Sequence, residues 1–159
     1  MKRKIVIAII FPILPEHIQR IFDGKDVFCK YVGRGNPNIS IGNHILFYAS
    51  GKHEIPGEAT ISGIEYLSSK EVVEKYMSRL FIDKNELERY RISRDRSPEK
   101  RLLVLTLTNA FRYHEPLTPI KNVSMSGLTL SREEFKRQLI LKKSNLSGDL
   151  RLPTGELQA

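Results

Sequence analysis

The stretch IFDGKDVFCKYVGRG, residues 21–35, ends one element, turns, and begins another. Just upstream, LPEHIQRIFDG puts Pro15 in a first helical turn, Ile18, Ile21 and Phe22 at helical spacing, and Gly24 where a left-handed cap sits. Downstream, DVFCKYV has a strand pattern and GRGNPN supplies turn chemistry. A short helix therefore hands over to a strand through one glycine. Before it, residues 4–11 read as a buried strand whose apolar run is broken by Pro12 and Pro15.

Working outward, HILFYAS at 44–50 is a further strand, GKHEIPG a turn, and EATISGIEYL a strand that Gly63 bends or bulges. SSKE at 68–71 and DKNE at 83–86 each pair a capping oxygen with a glutamate three residues on, which marks two helix starts. The second helix runs into RISRDRSPEKR at 91–101, a basic loop. RLLVLTLTNAFRY at 101–113 is the longest strand pattern, and SREE at 131–134 caps a last short helix with Phe135 and Leu139 inward. Five strand patterns with helices clustered in two places do not alternate as a doubly wound sheet requires. The order predicts an α+β fold, a small and mostly antiparallel β-barrel decorated by short helices. Residues 1–140 form one domain, and 141–159 form a peripheral C-terminal tail with little left to bury.

The chain has 159 residues, 40% of them hydrophobic and 28% charged, which suits one folded domain. IVIAIIF, the longest apolar run, is far too short for a bilayer span, so no membrane role is expected. The basic and apolar start resembles a secretory leader, but the prolines and the lack of a small-residue cleavage site argue against one. The single cysteine, Cys29, allows no internal disulfide and fits a cytoplasmic setting. The net charge of +8 divides as +4, 0 and +4 over residues 1–50, 51–100 and 101–159. If the outer thirds meet, one face is strongly basic, and nucleic acid leads among the partners. A generally salt-bridged basic surface is the plainer alternative.

Several motifs begin and fail. GRG at 33–35 lacks the third glycine of a dinucleotide loop, and Asn36-Pro37 stands where the helix should start. His53-Glu54 has no second histidine at 57, and Pro56-Gly57 would end the helix that such ligands need. The remaining histidines, His17, His44 and His114, show no ligand spacing, so neither a metal nor a cofactor is expected. Cys29 lies in an apolar strand, where its thiolate is disfavoured. No serine has a nucleophile-elbow frame.

Three stretches stand in a recognisable order: IFDGKDVFCKY, ISIGNHILFYAS and IPGEATISGIEYLSSKEV. Together they resemble the PUA-like superfamily, particularly its ASCH and EVE relatives, over roughly residues 3–140, and most closely a largely archaeal branch. Gly24-Lys25 matches a helix-ending glycine-lysine pair, Gly42 with Ile45, Leu46, Phe47 and Tyr48 matches a turn and strand, and Gly57-Glu58 opens a third. The resemblance implies a barrel-like fold with a cleft beside the first helix, and binding of RNA or modified bases. It also departs from the pattern: Phe28 or Cys29 followed by Lys30-Tyr31 replaces a glutamate and an arginine, and Asn43 replaces a turn aspartate. Some ASCH proteins hydrolyse acylated nucleosides with a lysine, a threonine and a glutamate. Lys25 aligns with that lysine, but Phe28 stands at the threonine position, so the hydroxyl nucleophile is missing.

These residues favour a binding module over a hydrolase. The expected cleft takes Lys25, Lys30, Tyr31 and Arg34 from the opening stretch, Tyr48, Ser50 and Lys52 from YASGK, and Arg112 and Tyr113 from FRYHE. Tyrosines would stack on bases while the cations hold phosphates. Strand alternation sends Lys25 and Lys30 to opposite faces, which argues against one pocket for both and leaves Lys25 at the helix-strand corner facing the cleft. The alternatives are an ASCH-like hydrolase using Lys25 and Glu58 on an acylated nucleoside or RNA, and a protein-interaction adaptor whose basic face is incidental.

Overall fold

The computed structural model describes residues 4–33 and 37–145, with side chains to 139. Arg34 and residues 146–159 lie outside the described residues, and so does most of the expected tail. The elements run β1 (Val6–Ile13), α1 (Pro15–Phe22), β2 (Val27–Lys30), β3 (His44–Ala49), β4 (Glu54–Ser68), α2 (Ser69–Tyr76), α3 (Lys84–Ser93), β5 (Arg101–Leu117), β6 (Leu128–Ser131) and α4 (Arg132–Asn145).

Six strands form one mixed sheet in the order β2-β5-β4-β3-β1-β6. The β1–β3 ladder is parallel and the other four are antiparallel. The α+β class holds, but the expected closed barrel does not form. Among the described residues β2 pairs with β5 and β6 with β1, leaving these two as the edges of an open sheet. The helices explain why closure is unnecessary. One face of β1 and β3 (Ile9, Phe11, Ile45, Phe47) packs with α1, α2 and α3 in the larger core, and the other (Ala8, Ile10, Leu46) packs with Leu130 and the α4 residues Phe135 and Leu139. Both faces are covered without joining the edges.

Local chemistry sets the element ends. All three capping boxes form: Ser68 with Glu71, Asp83 with Glu86, and Ser131 with Glu134. Gly24 ends α1 at φ +115°, a backbone that side-chain-bearing residues rarely adopt. Gly63 marks a register shift between β4 and β5. Other sequence expectations need correction. β1 passes through Pro12, because its pairing with β6 ends at Ile10 and no donor is required from Pro12 on that side. Pro56-Gly57 lies inside β4, not in a turn, and a register shift between Ile55 and Gly57 absorbs the proline. In 91–101, Arg91–Ser93 finish α3 and Arg101 begins β5. α4 itself spans Arg132–Asn145, so the helix that SREE opens extends into the first residues of the expected tail.

Candidate functional site

A cleft of about 640 Å³ opens where β1 and β3 both point their carboxyl ends. The Ser50 amide donates to the Ile13 carbonyl at 3.0 Å and ties those two ends together. Residues 12–14 and 50 form one wall, the first turn of α1 the next, and α3 the opposite side. β2 contributes Phe28, Cys29 and Lys30 to the floor.

The walls are fixed by a network at one end. Arg20 on α1 holds Glu86 on α3 through two nitrogen-oxygen contacts of 2.5 and 3.1 Å, and it also donates to the Phe81 carbonyl. His17 adds a contact to Glu86 at 3.5 Å, and its ring stands edge-on to Phe81. The Arg20 hydrogen bonds and the cap amide hold the Glu86 carboxyl down at about 2. Beneath them, Phe28 stacks on Phe11 with centroids 5.5 Å apart and meets Phe81 at 4.9 Å.

Lys30 sits in this aromatic floor with 5% of its surface exposed. Its Nζ lies 5.5 Å from the Phe11 centroid, and among the described residues it has no hydrogen bond or ion pair. Burial, reinforced by the Arg94 charge, pushes the Lys30 amine down to about 8. Burial also pushes the neighbouring Cys29 thiol up to about 12, which leaves it an inert wall group. At the mouth, Arg89 and Arg94 are exposed and carry no salt bridge among the described residues. The Arg94 guanidinium lies over the Tyr90 ring at 5.2 Å, and the Tyr90 hydroxyl accepts the Tyr31 amide at 2.9 Å. An aromatic wall, two guanidinium groups without salt bridges and a buried amine therefore converge on one space.

Of the residues expected from sequence, Lys30 and Ser50 line this cleft. Tyr31 packs behind it against Tyr90, buried, with its hydroxyl lacking a hydrogen-bond partner. Lys25 lies elsewhere and donates to the Ser78 carbonyl at 2.9 Å. Arg112 lies over the Phe22 ring and donates to Gln19. Tyr48 contacts His53 at 3.0 Å, beside exposed Lys52 in the turn after β3. Tyr113 donates to the buried Glu58 carboxylate at 2.6 Å, and His44 Nδ1 contacts the other oxygen at 2.8 Å. That second polar cluster belongs to the α4 side, where Phe135 stacks on His44. The contributions of α3, Arg89, Tyr90 and Ser93, and of its C-cap Arg94, lie outside the expected set. The arginine-rich 89–96 stretch was their signal, but its position opposite β2 depends on the tertiary fold. No helix among the described residues is long and apolar enough to cross a membrane, and no three metal-ligating side chains gather among them.

Comparison with solved structures places the fold. An ASCH protein from Zymomonas mobilis, solved as a serine-to-alanine variant, superposes with a TM-score of 0.72 at 16% identity, covering 87% of this chain and 99% of that one. The unmodified ASCH protein gives 0.70 at 16% identity, over 85% and 95% of the two chains. The N-terminal domain of Staphylothermus marinus McrB gives 0.58 at 14% identity, over 87% and 98%. The PUA-like, ASCH-related assignment made from sequence is thereby supported at the level of fold. No protein of curated function matches. Residues 6–132, most of the sheet and its helices, match the family model described as Domain of unknown function (DUF365), and the chain belongs to that family.

Proposed function

We propose that the cleft between α1, α3 and β2 binds RNA or a modified nucleotide. The observation that carries this reading is Lys30: a buried amine with no hydrogen bond or ion pair among the described residues, only the Phe11 ring beside it, at the floor of a cleft whose mouth holds two arginines without salt bridges. A buried amine with no hydrogen-bond partner is costly, and a polar ligand group reaching the floor offsets that cost. Phosphates answer Arg89 and Arg94, and the Tyr90 ring, already covered by Tyr31 and Arg94, backs a guanidinium plane on which a base can lie. Ser50 and the adjoining turn with Lys52 extend the track, while Lys25 and Arg112 contribute charge outside it. The sequence resemblance to ASCH and EVE proteins supports the same partner class.

The hydrolase alternative built on Lys25 and Glu58 has less support. Glu58 is occupied by His44 and Tyr113, and Lys25 is engaged with the Ser78 carbonyl. The test is binding of labelled single-stranded RNA, double-stranded RNA and DNA across a salt series, using wild type, Lys30→Met, Arg94→Ala and Lys25→Ala. The expected result is RNA binding whose log-log salt slope falls by about 0.7–0.9 when Arg94 is removed. Lys30→Met should weaken binding more than Lys25→Ala. No binding by wild type at low salt, or equal binding by all four proteins, would overturn the reading.

A further inference from the structure

The cleft sorts its groups by burial. Arg89 and Arg94 stand exposed at the mouth, whereas Phe28, Cys29, Lys30 and Phe81 are buried at the floor. Two carboxylates line the same space: Glu86 on α3 is already held by Arg20 and His17, and Glu16 on the first turn of α1 stands exposed with no ion pair to Lys30 among the described residues. Nothing described at the floor therefore keeps Lys30 protonated, and its lowered pKa of about 8 gives the amine a neutral, nucleophilic fraction near physiological pH. A ligand matched to this layout carries phosphate at its outer end and an uncharged electrophile at its inner end.

We propose that Lys30 captures an aldehyde as an imine, the aldehyde being carried a few bonds from a phosphate, as in a base-less nucleic-acid sugar or a free sugar phosphate. This deepens the binding reading and rests on the cleft accepting phosphate-bearing ligands. The neutral Lys30 nitrogen attacks the aldehyde carbon, a carbon-nitrogen bond forms, and the carbonyl π pair moves to oxygen. That oxygen then leaves as water with the two amine hydrogens, so the imine forms without any oxidant or reductant. The apolar floor favours the neutral amine and limits the water that would reverse the step. Arg89 and Arg94 hold the phosphate at the mouth.

The test uses the full chain with three probes: an oligonucleotide carrying an abasic site, the same oligonucleotide with a tetrahydrofuran analogue that has no aldehyde, and ribose 5-phosphate. Each aldehyde probe is incubated with wild type, Lys30→Arg and Lys30→Met, reduced with cyanoborohydride, and analysed by intact and peptide mass. Binding of the tetrahydrofuran probe is measured separately, and circular dichroism establishes that both variants fold. The expected result is a reduced adduct on the peptide holding Lys30, about tenfold lower in Lys30→Arg once the yield is normalised to each protein's measured binding of the tetrahydrofuran probe. The yield should rise from pH 6.5 to 9. An adduct with ribose 5-phosphate alone supports capture and assigns it to free sugar phosphates. Tetrahydrofuran-probe binding without any wild-type adduct overturns the capture and leaves the binding reading intact. Equal adduct on Lys30→Arg also overturns it, since the trapping lysine would lie elsewhere.

Discussion

The Lys30 ammonium lies 5.5 Å from the centroid of the Phe11 ring, and among the described residues that ring is its attractive partner while the Arg94 charge opposes it. A ring face compensates a desolvated cation only in part. The folded amine titrates near 8, below its ordinary 10.5. Below pH 8 both folded and unfolded chains hold the proton, and the folded state bears the whole penalty. Between 8 and 10.5 the folded state sheds the proton first, so stability rises with pH. Lys30→Met should therefore be more stable than wild type by about 2 kcal/mol at pH 7, an advantage that narrows by pH 10. Urea midpoints at the two pH values check this, and a variant less stable than wild type at pH 7 contradicts it.

The Arg20–Glu86 pair gives a pH slope of the same sign in the acid range, because its carboxyl pKa is lowered too. The Glu86 carboxyl, held at about 2, contributes stability that is fully present above its ordinary value of 4.5 and is lost as pH falls through 2. Glu86→Gln keeps a side chain able to cap α3 but removes the charge. It should cost on the order of 2 kcal/mol at pH 7, with the two proteins converging in strong acid. Thermal unfolding between pH 2 and 7 reads the difference directly.

Tyr113→Phe removes the hydroxyl that donates to Glu58 and leaves a buried carboxylate oxygen without that partner. The expected cost is about 1–3 kcal/mol in urea unfolding, with no effect on trapping or binding at the α1–α3 cleft. His44 adds a pH dependence, because its hydrogen bond to Glu58 raises its pKa above 6.5. Its contribution is fully present below pH 6.5 and fades as pH rises through the raised value. The stability gap between wild type and His44→Gln should therefore shrink from pH 5.5 to 8.5.

Gly57 carries a steric requirement. A Cβ there would meet the Phe111 carbonyl, and it would approach Phe22 Cζ to 2.5 Å. Since Phe22 ends α1 and packs edge-on to Phe47, neither contact can yield cheaply. Gly57→Ala should lose about 1–3 kcal/mol. Thermal melts provide the check, and a neutral substitution would show that α1 can shift on the sheet.

Local chemistry was readable before the fold was known, and long-range placement was not. Ser68, Asp83 and Ser131 each announce a helix within four residues, and Gly24 ends one, because these devices act between sequence neighbours. The four-residue β6 was missed because LTLS is too short to show alternation, and only its ladder with β1 makes it a strand. Pro12 and Pro56 read as breaks because a sequence does not show which neighbour requires an amide donor. At the site, strand alternation separated Lys30 from Lys25, but it could not supply Arg89 and Arg94, which arrive on a helix more than fifty residues away.

The parallel β1–β3 pair has a consequence for how such a cleft can diversify. Both strands run toward the same end of the sheet, so the segments that follow them, at 14–17 and 50–53, meet above the floor without belonging to any ladder. Insertions or exchanges in the second of these segments would remodel the mouth while leaving the strand register untouched. Ligand preference could then drift in related chains at little cost to folding, with the amine on β2 as the fixed point around which new rims are tried.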